Sequence, residues 1–133
     1  MSEELSEVDK HWEGKLTPQE FQITRKKATE RPFTGEYYNH KEEGHYRCTC
    51  CGRHLFSSVA KYDSGTGWPS FFKPLDPTYI KEDVDDQHGM VRTEIMCSNC
   101  GAHLGHVFND GPEPTGLRYC VNSLSLKFHK IDT

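Results

Sequence analysis

Six cysteines hold most of the reactive chemistry in this chain. Four of them form two C-x-x-C pairs, Cys48/Cys51 and Cys97/Cys100, and each pair opens a C-x-x-C-G-x-H-L segment repeated at an offset of 49 residues. Zinc takes four soft ligands in a tetrahedron, and two such turns supply four thiolates from distant parts of the chain. The spacing predicts one structural zinc ion per chain, held by Cys48, Cys51, Cys97 and Cys100 and closed to substrate because cysteine fills every place. The glycine after each pair, Gly52 or Gly101, permits a turn that aims backbone N–H groups at sulfur. A cross-link between such distant segments is an effective staple. Cys50 lies inside the first pair and competes for a ligand place, although the repeat favours Cys48 and Cys51. A redox dithiol is the alternative reading of a C-x-x-C turn.

Cys120 stands apart, in Arg118-Tyr119-Cys120-Val121-Asn122. On a strand, Arg118, Cys120 and Asn122 share one face. A thiol between a guanidinium and an amide can have a lowered pKa, and the thiolate is the reactive form. An inert buried cysteine is the plain alternative. His103 and His106 follow the second knuckle, and Gly105 between them permits a bulge that turns both rings to one side. His103 could equally support the metal knuckle, since His54 occupies the matching place in the first repeat. His106 has no counterpart there, which makes it the more specific candidate. Trp68 lies in the glycine-rich turn Gly65-Thr66-Gly67-Trp68 and either binds something or lids the core.

The elements that must position these residues are short. Thr17, Pro18 and Glu20 form a capping box with proline at the first helical place, predicting a helix over 18–28 that ends before Pro32. The remainder reads as strands and turns: a strand approach at 44–47, an alternating stretch at 88–96 with Val91, Thr93 and Ile95 on one face, and a long β-like run over 117–128. Residues 1–15 read as a loose arm and 16–133 as a single domain. Glu82, Asp83, Asp85 and Asp86 read as a solvated face. Leu, Ile, Val and Phe make up 25 of the 133 residues, close to the ~20% level at which a conventional core becomes thin. With a net charge of −4 and 15 aromatic residues, the chain reads as folded, with something besides aliphatic packing holding it together. The acidic balance speaks against a nucleic-acid partner, and no apolar run is long enough to span a membrane. The first residues do not resemble a secretory signal, so a cytoplasmic location is expected, and a monomer.

Taken together, these residues resemble the methionine-R-sulfoxide reductase B family. The likeness runs from Leu16 to Phe128 and includes Pro32-Phe33-Thr34-Gly35, Gly67-Trp68-Pro69-Ser70-Phe71, His88-Gly89-Met90, Cys100 to Phe108, Asp110-Gly111-Pro112 and Arg118 to Ser123. The resemblance implies a mainly β fold of two small antiparallel sheets with a few short helices. It implies reduction of the R epimer of methionine sulfoxide, preferentially in proteins. Cys120 would be the nucleophile, left as a sulfenic acid when methionine departs. His103, His106 and Asn122 would orient substrate or water and assist proton transfer. Arg118 would stabilise the thiolate, and Trp68 would pack the substrate's ε-methyl.

One position departs from the family pattern. Many members carry a resolving cysteine where this chain has Thr66. Recycling of Cys120 would then fall to thioredoxin, to a small thiol, or to Cys50. Two rival readings are a zinc-stapled binding module without chemistry and an enzyme with catalytic zinc.

Overall fold

A computed structural model describes residue 12 and residues 14–130 of the chain. The capping box closes helix α1 (Pro18–Lys26) as the residue types require. Thr17 N–H donates to Glu20 Oε1 at 3.0 Å, and Glu20 N–H donates to Thr17 Oγ1 at 3.1 Å. The helix stops two residues short of the expected end. Lys27 adopts a left-handed backbone (φ 59°), and Ala28 N–H returns to the Gln22 carbonyl at 3.0 Å, capping the last turn. Of the expected N-terminal arm, residues 1–11 and 13 lie outside the described residues. The Trp12 carbonyl accepts from Lys15 and Leu16 N–H, and the Arg25 guanidinium lies 5.4 Å from the Trp12 ring centroid.

Among the described residues, nine strands follow the helix: β1 (Gly44–Cys48), β2 (His54–Ser57), β3 (Lys61–Tyr62), β4 (Ser70–Phe71), β5 (Ile80–Asp85), β6 (Arg92–Cys97), β7 (His103–Phe108), β8 (Arg118–Val121) and β9 (Leu126–Lys130). They form two antiparallel sheets, β2-β1-β9 and β3-β4-β8-β7-β6-β5, so the fold is mainly β. Short 3-10 turns such as Pro77–Tyr79 and Ser123–Ser125 supply further helical pieces.

The run over 117–128 is not one strand. It breaks at the turn Ser123–Ser125, with β8 in the large sheet and β9 in the small one. Two buried serines make that crossing. Ser123 Oγ accepts from Tyr37 N–H, and Ser125 Oγ donates to the His103 carbonyl. The stretch at 88–96 starts its strand only at Arg92, and Val91 is exposed before it. Ile95 does face the core, yet its neighbour Glu94 is also buried, because α1 packs over the other side of the sheet at β7.

The core between the sheets is largely aromatic. Phe56 stacks on Phe71 at 4.4 Å between centroids, and Tyr46 meets Phe71 and Phe128 at 5.2 and 5.1 Å. Each such ring buries about 150–250 Å², which offsets the shortage of aliphatic side chains. Most aromatics therefore belong to the core.

Candidate active site and metal centre

The two repeated turns have the same backbone. Gly52 and Gly101 take φ of 80° and 79°, and their N–H groups close on the carbonyls of Cys48 and Cys97 at 2.9 and 2.8 Å. The next residues extend the likeness, with Cys48 N–H on the Arg53 carbonyl and Cys97 N–H on that of Ala102. The Sγ atoms of Cys48, Cys51, Cys97 and Cys100 all lie within 4.8 Å of one another, with Cys48 to Cys100 at 3.5 Å and Cys51 to Cys97 at 3.6 Å. A zinc tetrahedron with bonds of about 2.3 Å needs sulfurs about 3.8 Å apart, so the four cysteines are positioned to bind a metal ion. Proton sharing among the thiols points the same way. The Cys97 thiol is lowered to about 4, chiefly by a hydrogen bond from Cys100, with backbone N–H groups of Cys100 and Asn99 adding to it. Hydrogen bonding to Cys48 lowers Cys100 to about 6, and Cys48, the donor, is raised. A cation would take the place of those protons. Helix α1 is tied to this centre through Arg25, which donates twice to the Cys100 carbonyl.

Cys120 lies elsewhere, on β8, in the wall of a cavity of about 270 Å³ that Trp68, Thr66, His106, Arg118 and Asn122 also line. In the β7–β8 ladder His106 is the direct partner of Cys120, so their side chains share a face with Cβ atoms about 5 Å apart. Gly105 lets the two strands meet: a Cβ there would lie 1.9 Å from the Cys120 carbonyl oxygen. A bulge does occur at this point. Ile95 pairs with Gly105 and Met96 with His103, leaving Leu104 extra. It brings the rings of His103 and His106 to 5.7 Å, centroid to centroid.

The two histidines nonetheless occupy different ground. His106 borders the cavity, with Nε2 2.8 Å from Asp85 Oδ2. His103 does not border it. Its Nδ1 is 2.7 Å from Glu94 Oε2, and both residues are buried. Burial lowers the pKa of His103, against the opposing pull of Glu94. Lys27 caps Glu94 at 3.2 Å. His54 does not mirror this role; it faces His45 on the other sheet.

The acidic run is not wholly a solvated face. Asp85 is held at about 2, chiefly by its hydrogen bond to His106, then by Gln87 N–H and the nearby Arg92. The sequence does not single out Asp85, because it stands among exposed acids and strand pairing alone brings it to His106.

The Cys120 thiol differs from the sequence reading. Burial raises its pKa above the usual value, and Arg118 and a hydrogen bond with Thr66 only partly oppose that rise. Arg118 is also committed to a bidentate pair with Asp110, at 2.9 and 3.1 Å, and lies over the Phe108 ring. Asn122 lies just past β8, with its amide already engaged: Nδ2 donates to the Leu104 carbonyl and Oδ1 accepts from Glu30 N–H. The Glu30 carbonyl in turn accepts the Trp68 indole N–H at 3.0 Å, and its carboxylate accepts from Leu124 N–H. Glu30, which nothing in its own neighbourhood marks, thereby fastens two cavity residues. Cys50 is not at the cavity; its thiol contacts those of Cys48 and Cys100.

A single thiol on a cavity wall, flanked by a His–carboxylate pair and separate from a four-cysteine centre positioned to bind a metal ion, describes a thiol-bearing β domain. Residues 16–130 match the family model for the SelR domain, and the chain belongs to that family, the methionine sulfoxide reductases of the B type. It is 59% identical over 130 residues to the peptide methionine sulfoxide reductase MsrB of Hahella chejuensis, covering 98% of this chain and 94% of that protein. It is 61% identical to the protein of the same name from Acinetobacter baylyi, and 62% identical to that from Acinetobacter baumannii, each over 92% of this chain and 88% of the relative. Among the described residues, no helix is long and apolar enough to cross a membrane.

Proposed function

We propose that this chain reduces the R epimer of methionine sulfoxide in oxidised proteins and peptides to methionine, with Cys120 as the nucleophile. Family membership supports the reaction class. The observation that carries the residue assignment is the cavity that joins Cys120 to His106, Trp68 and Arg118. The Cys120 thiolate attacks the sulfoxide sulfur to form a transient S–S bond, the oxygen takes up one proton and passes to the Cys120 sulfur as the S–O and S–S bonds break, and methionine departs leaving a sulfenic acid. The methionine sulfur gains two electrons and the cysteine sulfur loses them. His106, paired with Asp85, is the group placed to deliver the proton that the oxygen requires. His103 supports it from behind, and Asn122 fixes the cavity wall. Arg118 favours the thiolate against the cost of burial. Trp68, held by Glu30, offers its ring to the ε-methyl. Fixing methyl, oxygen and line of attack on a chiral sulfur selects one epimer.

The four-cysteine centre holds zinc in a structural role, since no ligand place is left for substrate. Residues 16–133 work as a single catalytic domain, as a monomer in the cytoplasm. The sulfenic acid is returned to thiol by thioredoxin or a small thiol, with Cys50 as the alternative resolving group. That alternative requires movement, because Cys50 does not border the cavity.

The substitution Cys120→Ser should abolish turnover of an R-sulfoxide peptide and leave metal content unchanged. Full activity in that variant would remove the nucleophile assignment. Mass spectrometry after one turnover without reductant separates the recycling routes: a sulfenic acid on Cys120 points to an external thiol, a Cys50–Cys120 disulfide to Cys50.

A further inference from the structure

The three-stranded sheet carries a histidine cluster that none of the foregoing chemistry uses. His45 on β1, His54 on β2 and His129 on β9 emerge on its outer face. Pairing explains why. His45 is the register partner of His129, and β2 carries a bulge at Leu55, because Tyr46 pairs with Phe56 and Arg47 with His54. The bulge lets Leu55 and Phe56 both enter the core and re-aims His54 outward, toward His45. The Nδ1 atoms of His45 and His54 lie 2.8 Å apart, and the His129 ring is 6.1 Å from that of His54, centroid to centroid. All three rings are reachable from solvent.

We propose that His45, His54 and His129 form a second metal site, independent of the cysteine centre, for a divalent ion that takes imidazole ligands, such as Cu2+ or Ni2+. Ligand chemistry and distance both support this. Imidazole suits copper, nickel and zinc, whereas the hard ions Mg2+ and Ca2+ take oxygen. With metal–nitrogen bonds of about 2.0–2.1 Å, two ligands at a right angle lie about 2.9 Å apart, against about 3.4 Å at the tetrahedral angle. The observed 2.8 Å is a ring N–H···N hydrogen bond, and it already holds the two Nδ1 atoms close to the separation that a shared ion requires. On binding, the ring that now donates from Nδ1 moves its hydrogen to Nε2, and the two rings turn so that both Nδ1 lone pairs face the ion. His129, exposed and directly opposite His45, turns to supply the third nitrogen. Partial burial, together with His45, Arg47 and His129 nearby, disfavours the protonated form of His54, so the imidazole is available as a ligand at neutral pH.

Ni2+ is the suitable probe, because Cu2+ would oxidise free thiols. Titration of the untagged chain, with its cysteine centre already filled with zinc, should show one Ni2+ bound per chain and a raised melting temperature. The variant His54→Ala should weaken binding by at least about tenfold, and His129→Ala by less. In the unsubstituted chain, Ni2+ should broaden the ring resonances of His45, His54 and His129 and spare those of His103 and His106, a readout that needs no variant to fold. Wild-type affinity in His54→Ala, no binding at all, or a thiolate-to-nickel absorption band placing the ion on the cysteines would each overturn the proposal.

Discussion

His106 Nε2 lies 2.8 Å from Asp85 Oδ2, and His106 is the cross-strand partner of Cys120. A carboxylate on β5 therefore orients the imidazole that faces the thiol. The substitution Asp85→Asn should lower kcat for the R-sulfoxide substrate by about tenfold or more, yet less than loss of His106, since general acid–base groups contribute ~10²–10⁴. Alkylation of Cys120 by iodoacetamide should proceed at an unchanged rate. A parallel fall in alkylation would mean that the cavity had collapsed rather than that proton delivery had been lost. Stability carries a matching signature. Asp85 is depressed from 3.8 to about 2 by its partners, so the pair stabilises the fold above about pH 4 and that contribution is lost as pH falls toward 2. Acid unfolding of Asp85→Asn should lack that component.

Burial outweighs Arg118 at Cys120, so the free thiol is raised above its ordinary value. The rate of Cys120 alkylation should still be climbing beyond about pH 9, where an unperturbed thiol levels off. Arg118→Met should depress the rate further at pH 8, because it removes the positive charge and leaves the burial. A plateau near neutral pH in the unsubstituted chain would contradict this balance.

Thr66 stands where the family resemblance implies a resolving cysteine, and its hydroxyl hydrogen-bonds to the Cys120 thiol. The side chains are thus already neighbours. The substitution Thr66→Cys should trap a disulfide between the introduced thiol and Cys120 after one turnover. It would be seen as the loss of two titratable thiols, where the unsubstituted chain loses one if recycling is external. A disulfide requires Cα atoms within about 7 Å, so failure to form one would show that the two backbones are too far apart.

The cysteine centre joins the end of β1 to the end of β6, across both sheets. Cys97→Ser should abolish stoichiometric metal binding and lower the melting temperature sharply, because metal affinity here is folding free energy. Chelation of the unsubstituted chain should do the same. Equal melting with and without metal would rule out a stapling role.

Much of the cysteine centre was legible from spacing, because a C-x-x-C turn followed by glycine is a local structure. Gly52 and Gly101 adopt nearly the same φ for the same local reason. The capping box at Thr17 was legible too, since its partners are three residues apart. The break in the run over 117–128 was not. Its alternation of apolar residues continues while the chain leaves one sheet for the other, and only the bonds of Ser123 and Ser125 to distant backbone mark the change.

By itself, the sequence determined what local chemistry can determine: the four cysteines of the two matching turns, the helix start, the mainly β character and Cys120 as a thiol set apart from those turns. Tertiary structure decided the environment of each group. Strand register placed Asp85 on His106 and Glu94 on His103 across spans of 21 and 9 residues. Packing of the cavity wall set the direction of the Cys120 pKa against the expectation drawn from its neighbours in sequence. The physical reason is that desolvation and long-range pairing depend on which segments meet, and a pattern of neighbours along the chain carries no record of those meetings.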